Sequence, residues 1–169
     1  MFPRLIRPAR RAEFPINGRS RRPPLDRVNS LLSFTYALMT HDSAAALTAA
    51  GLDPGVGFLH ADRPGRPSLA LDLVEEFRTL IADRLVIALI NRQQLGPAAF
   101  IVRDGGAVEL TADGRKALVQ AYVARKREEV THPLLDAKVR VGQLPFLQAK
   151  LLARHLRGDA EGYPPCILR

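Results

Sequence analysis

The stretch SLALDLVEEFRTLIADRLVIALINRQQ, Ser68–Gln94, decides the fold class. At 100° of turn per residue, Leu69, Leu73, Val74, Phe77, Leu80 and Ile81 share an arc of about 140°. Asp72, Glu75, Glu76 and Asp83 share a separate arc of about 100° on the other side. One face is therefore core and the other acidic, the pattern of a helix packed on a domain. Ser68 stands where an N-cap belongs, so a helix is predicted from Leu69 to about Gln94.

Working outward, the same period recurs. Pro24 suits a first helical position, and Leu25, Val28, Leu31, Leu32 and Tyr36 follow at helical spacing. Asp26, Asn29, Ser30 and Ser33 form a polar stripe on the opposite side. A second, short helix is predicted over about Ser43–Ala50, ending at Gly51. AAFIVRDGGAVELT breaks the period: two short runs flank Asp104-Gly105-Gly106, which predicts a β-hairpin. Thr111 or Asp113 then caps a helix through about Val130, and a last helix covers roughly Leu144–Leu156. Residues 1–22 carry Arg4, Arg7, Arg10, Arg11, Arg19, Arg21 and Arg22 against one acid, Glu13, and read as an extended or disordered basic arm. Residues 159–169 form a Gly/Pro-rich tail. The expectation is a mainly α protein: a single helical domain over 23–158 with one small β-hairpin.

Composition narrows the function. The chain has 169 residues, 47% hydrophobic and 25% charged, which suits one soluble domain with a real core. No apolar run approaches the roughly 20 residues of a membrane helix, so no membrane partner is expected. The single cysteine, Cys166, excludes an internal disulfide framework and a Cys-based zinc site, and fits a reducing, cytoplasmic setting. A net charge of +8 points to an anionic partner, nucleic acid first. Arginine far outnumbers lysine, and its planar fork suits phosphate. An arginine-favouring genome would leave the same bias.

Against that charge, the carboxylates of Ser68–Gln94 stand out. Oxygen ligands on successive turns can hold Mg²⁺ or Mn²⁺, and an imidazole shifts the preference toward Mn²⁺. His60, in the Gly-rich loop LDPGVGFLHADRPGRP just before the helix, is placed to fold back over the first turns. The plainer alternative is a solvated acidic face, with early acids stabilising the positive end of the helix. Gly51, Gly55 and Gly57 do not form a phosphate loop, because no Lys-Ser/Thr follows them.

Three segments in order, FPINGRSRRPPLDRVNSLLSFTYALM, GLDPGVGFLH and GRPSLALDLVEEFR, resemble the CRISPR-associated integrase-nuclease. The resemblance extends through LTADGRKALVQAY and EEVTHPLL to RGDAEGYPP, and these later segments resemble the versions found in type I systems. It implies that His60 and Glu75 are metal ligands for Mn²⁺ or Mg²⁺, and that Asp72 supports this catalytic site. Arg78 and Ser68 belong to the same signature and would position the helix and DNA. Asp26, Asn29 and Ser33 belong to the RRPPxDxVN signature, with helix packing or a place beside the active site as open alternatives. Arg19, Arg21, Arg22, Arg63 and Arg66 would grip DNA phosphates, which positions a duplex without reading its sequence.

The implied function is spacer acquisition: a metal-dependent DNA endonuclease and integrase that joins 3′-hydroxyl ends to the CRISPR repeat. The family works with a small second adaptation protein and is homodimeric through an N-terminal β domain. That β domain has no counterpart in the 169 residues, nor does the family's Glu-Gly-x-Ala-Ala segment, which supplies a third ligand; Glu13 stands in the wrong context to replace it. A helical half cut from a longer chain, a naturally truncated gene, or a half completed by a second polypeptide would each account for this. Each implies impaired metal binding and weak cleavage with DNA affinity retained. The rival expectations are a non-catalytic, basic, helical DNA-binding module or truncated remnant, and a metal-dependent hydrolase of small phosphates.

Overall fold

The structure is a computed structural model and describes residues 2–16 and 18–167. Leu168 and Arg169 of the expected tail, and Met1 of the expected arm, lie outside the described residues. Among the described residues seven α-helices follow in order: α1 Phe2–Leu5, α2 Pro8–Arg11, α3 Arg27–Ala49, α4 Ser68–Arg78, α5 Arg84–Asn91, α6 Ala112–Arg127 and α7 Leu144–Leu156. The β structure among the described residues is two antiparallel hairpins: β1 Phe100–Val102 with β2 Val108–Leu110, and β3 Glu129–His132 with β4 Ala137–Arg140. The chain is thus mainly α, with a hairpin where Asp104-Gly105-Gly106 placed it; Gly105 and Gly106 take the positive φ of 87° and 80° that the turn requires. No helix among the described residues is long and apolar enough to cross a membrane.

The chain groups into two compact units, Met1–Thr35 with Ala82–Ala124, and Tyr36–Ile81 with Arg125–Arg169. In the first, Val28, Leu31, Leu89, Ile90 and Leu118 are fully buried. The arm expected to be extended or disordered over residues 1–22 is instead partly helical. Pro8 opens α2 at a position where its missing N–H costs nothing. Ile6 and Phe14 are buried, and Phe14 meets Phe100 edge to face at 6.0 Å. Asn91 fastens this segment, accepting from the Arg7 amide at 2.8 Å and donating to the Leu5 carbonyl at 2.9 Å. The polar stripe on α3 serves local structure in the same way. Asp26 caps the helix by accepting from the Asn29 amide at 2.7 Å, and Asn29 donates to the Gly18 carbonyl.

The second unit holds α4, α7, the β3–β4 hairpin and the C-terminal segment. Leu69, Leu73, Val74, Phe77, Leu80 and Ile81 are all buried, as their common arc predicts. The predicted single helix to Gln94 is broken, however, by one π-helical turn at Thr79–Asp83. That turn resets the phase, so Asp83 does not extend the acidic face by simple 100° steps. The short helix predicted at Ser43–Ala50 is the end of α3, since no breaker interrupts residues 36–43 and the Thr40 hydroxyl bonds back to the Tyr36 carbonyl at 2.8 Å. The β3–β4 hairpin was not predicted; strands of four residues give too little alternation to register.

A candidate metal centre at the start of the fourth helix

The loop 52–67 folds back on the helix it precedes. The Pro54 carbonyl accepts from the amides of Leu69 and Ala70 at 2.9 and 3.3 Å, serving two of the donors a helix start leaves open. Ser68 is not the N-cap; it is the first helical residue, and its hydroxyl donates to the Ala61 carbonyl at 3.0 Å. Gly57 lies so close to the helix start that a Cβ there would fall 2.6 Å from the His60 carbonyl and 2.7 Å from the Ser68 Cβ. Only glycine allows that approach.

Asp72 ties this loop down. One carboxylate oxygen accepts from the amides of Phe58 and Leu59 at 2.7 and 3.0 Å; the other accepts from the His60 amide at 3.0 Å and meets His60 Nδ1 at 2.6 Å. Burial alone would raise its pKa, but the bonds from the Leu59 amide, the His60 ring and the Phe58 and His60 amides outweigh burial and hold it below its ordinary value of 3.8. An ionised carboxylate only accepts, so His60 Nδ1 carries the hydrogen, and it is Nε2 that offers a lone pair in the neutral ring. A carboxylate that fixes the tautomer and orientation of an imidazole is the usual support of a metal-binding histidine.

Glu75 lies one turn on from Asp72 and is exposed. Its carboxylate accepts from Arg78 Nη1 at 3.1 and 3.4 Å. Arg78 is itself held by Tyr36, through Nε to the phenol oxygen at 3.0 Å and by stacking 5.1 Å above the ring. The Tyr36 hydroxyl and, less, Glu75 raise the already high pKa of this guanidinium. Glu76, grouped with Glu75 by periodicity, turns the other way. It accepts from the Tyr163 hydroxyl, from Gln148 Nε2 at 3.0 Å and from the Cys166 amide at 2.9 Å. Burial and the nearby Glu76 push the Cys166 thiol up to about 11.

Among the described residues, no three His, Cys, Asp or Glu side chains are grouped to hold a metal ion. The donor chemistry that is present fits a divalent ion: one imidazole nitrogen held in the right tautomer and one exposed carboxylate. Beside it lies a cavity of about 520 Å³ with mostly apolar walls, including Phe58, Leu59, Leu73 and Leu156, edged by Asp72, Glu75 and Glu76. Phe58 and Leu59 are largely exposed, 66% and 79%. Composition gave no sign of this cavity, and none of the Glu76 contacts was legible in the sequence.

The expected DNA-gripping arginines fall in both units. Arg19, Arg21 and Arg22 are exposed in the first; Arg19 is already engaged, donating to Asn29 Oδ1 and the Ser20 carbonyl, both at 2.6 Å. Arg63, Arg66 and Arg78 lie in the second: Arg63 is exposed, while Arg66 and Arg78 are half-buried.

Fold and site define a mainly helical domain with a carboxylate-steered histidine at the start of a helix. The chain belongs to the family described as CRISPR associated protein Cas1, whose model matches residues 1–124. It is 58% identical over 156 residues to a CRISPR-associated endonuclease Cas1 of Chlorobaculum tepidum, covering 92% of this chain and 46% of that protein. It is 55% identical over 165 residues to another of Rhodospirillum rubrum, covering 98% and 48%. The chain therefore spans about half the length of these curated relatives. Among solved structures, it resembles a casposase bound to integration product, with 25% identity, a TM-score of 0.86 and coverage of 99% of this chain and 50% of that one. A partial Cas6-RT-Cas1–Cas2 complex contains a chain with 25% identity and a TM-score of 0.74, covered over 94% and 48%.

Proposed function

We propose that the chain takes part in CRISPR spacer acquisition as the helical half of a metal-dependent DNA-cleaving and DNA-joining enzyme, with His60 Nε2 and Glu75 as ligands of Mn²⁺ or Mg²⁺. The observation that carries this is the clasp of Asp72 on His60. It spends Nδ1 and three backbone amides on one carboxylate and leaves Nε2 as the nitrogen that can bind a metal in the neutral ring, next to a helix whose following turn presents Glu75. The endonuclease relatives and the integration product in the casposase structure support the reaction class.

A divalent ion bound here would neutralise charge on a scissile phosphate and favour in-line attack by an oxygen nucleophile. Water as nucleophile gives cleavage, and a DNA 3′-hydroxyl gives strand joining. The chain's own residues do the positioning. Asp72 fixes the imidazole, Gly57 lets the loop lie close to the helix, and Arg63 and Arg66 supply positive charge on the loop that carries His60. Arg78, itself held by Tyr36, bonds Glu75 directly and would share that carboxylate with the ion. Two protein ligands leave most of the coordination shell to water and phosphate, so the isolated chain should bind Mn²⁺ weakly and cleave slowly. DNA and a Cas2-type second adaptation protein are the proposed partners, the latter on the likeness to the Cas1–Cas2 complex.

A second reading, a basic DNA-binding module without catalysis, is favoured by the Arg78–Glu75 pair, which occupies one proposed ligand. Branched DNA incubated with Mn²⁺ separates the two. The metal reading expects slow nicking or strand transfer that disappears in His60→Ala while DNA binding persists. Binding that falls steeply with salt and no cleavage in either protein would favour the module instead. Cleavage equal in both proteins would place the chemistry elsewhere.

A further inference from the structure

Glu76 is the acid on α4 for which the metal reading has no use, and only Asp72 on that helix is more heavily bonded among the described residues. Three groups far along the chain converge on it: the Tyr163 hydroxyl, Gln148 Nε2 and the Cys166 amide. Gln148, fully buried on α7, also donates to the Pro164 carbonyl at 3.0 Å and to the Tyr163 oxygen at 2.9 Å. Its own carbonyl oxygen meets His132 Nε2 at 3.1 Å. The His132 Nδ1 in turn accepts from the amides of Leu134 and Leu135, both at 3.3 Å, so every polar atom of that ring and of the Gln148 amide is spoken for. One carboxylate thus joins the β3–β4 turn, α7 and the C-terminal segment to α4.

The place of this knot matters. Glu76 directly follows Glu75, and both edge the cavity that Tyr163 also lines. Three residues beyond Glu76, regular α-helical bonding gives way to the π turn Thr79–Asp83. A long uninterrupted helix would hold the rotational setting of Glu75 by itself; a helix of eleven residues ending in a π turn does so less well. The loop clasp at Asp72 fixes the front of α4, and the Glu76 knot fixes its far end.

We propose that Glu76 is a positioning carboxylate: it straps the 163–166 segment across α4 and so sets the orientation of Glu75 in the candidate metal site. This rests on the metal reading of Glu75. The strap predicts an asymmetry between substitutions. In Glu76→Gln the amide oxygen still accepts from Gln148 and Cys166, and the Tyr163 hydroxyl can rotate to accept from the new NH₂. In Glu76→Ala the Tyr163 hydroxyl and the Cys166 amide lose this acceptor, and Gln148 Nε2 keeps the Pro164 and Tyr163 oxygens.

The test is Mn²⁺ titration of the full chain, followed by electron paramagnetic resonance of the free ion, for the wild type, Glu75→Ala, Glu76→Ala and Glu76→Gln. Hydrogen exchange of the Cys166 amide is measured alongside, without metal. The strap predicts that Glu76→Ala weakens Mn²⁺ binding about tenfold or more, the scale for groups that orient metal ligands. It also predicts faster Cys166 exchange in Glu76→Ala, and Glu76→Gln close to wild type in both measurements. Loss of Mn²⁺ affinity in Glu76→Gln equal to that in Glu75→Ala would make Glu76 a ligand and overturn the positioning role. Wild-type Mn²⁺ affinity in Glu76→Ala, with Glu75→Ala impaired, would overturn it and leave the metal site standing. Wild-type affinity in Glu75→Ala would overturn the site itself and the positioning role with it. If Glu76→Ala does not fold, Tyr163→Phe removes one strap bond and should show the same two effects, smaller.

Discussion

Glu75 and Glu76 are neighbours in sequence and identical in chemistry, yet they live in different regions. Glu75 is exposed, and its one ion pair is with Arg78 on the same helix. Glu76 is half-buried and gathers donors from Gln148, Tyr163 and Cys166, 72 to 90 residues away. Asp72, one turn before, resembles Glu76: its oxygens are filled by three amides and an imidazole. An acidic face on a helical wheel therefore sorts into anchors, which have spent their oxygens on the fold, and one carboxylate left open for chemistry. On the proposed function, metal binding belongs with the open one and stability with the anchors.

The largest expected effect on stability is from Glu76→Ala, which leaves partly buried donors unsatisfied and should cost about 2–4 kcal/mol in denaturant unfolding. Asp72→Asn should cost about 2 kcal/mol near neutral pH, since a charged acceptor of four bonds is replaced by an amide that can serve only some of them. The Asp72 contribution is also pH-dependent. Its folded pKa lies below 3.8, so its stabilisation is complete above that value and is lost as pH falls through the folded value. The stability gap between wild type and Asp72→Asn should therefore be constant from neutral pH to about 5 and narrow below 4. A gap unchanged at acid pH would mean that the clasp does not depend on the charge.

Next in size is Gly57→Ala, at about 1–3 kcal/mol, because the new methyl meets backbone and a buried serine rather than a flexible side-chain end. Glu75→Ala should change stability by less than about 1 kcal/mol, as expected for an exposed pair. A loss matching that of Glu76→Ala would erase the distinction between the two residues.

The sequence carried the helical class, the first hairpin and the buried arc of α4, because each rests on local period or turn chemistry. His60 and Asp72 were placed together by resemblance, and the structure joins them directly. What stayed hidden depends on distant partners. No local pattern separates Glu76 from Glu75, since the difference lies in Gln148 and Tyr163. The π turn is equally silent, because Thr79–Asp83 continues the apolar period while shifting its phase. In the arm, a count of arginines outweighed Ile6 and Phe14, two apolar residues that anchor it to a core.

The most direct test of the central claim is Mn²⁺ binding to the wild-type chain, His60→Ala and Glu75→Ala, each shown folded by its unfolding transition. The account predicts weak binding of one ion by the wild type, and at least a tenfold loss in both variants. Equal Mn²⁺ affinity in all three folded proteins would contradict it, and would make the clasp of Asp72 on His60 a structural feature alone.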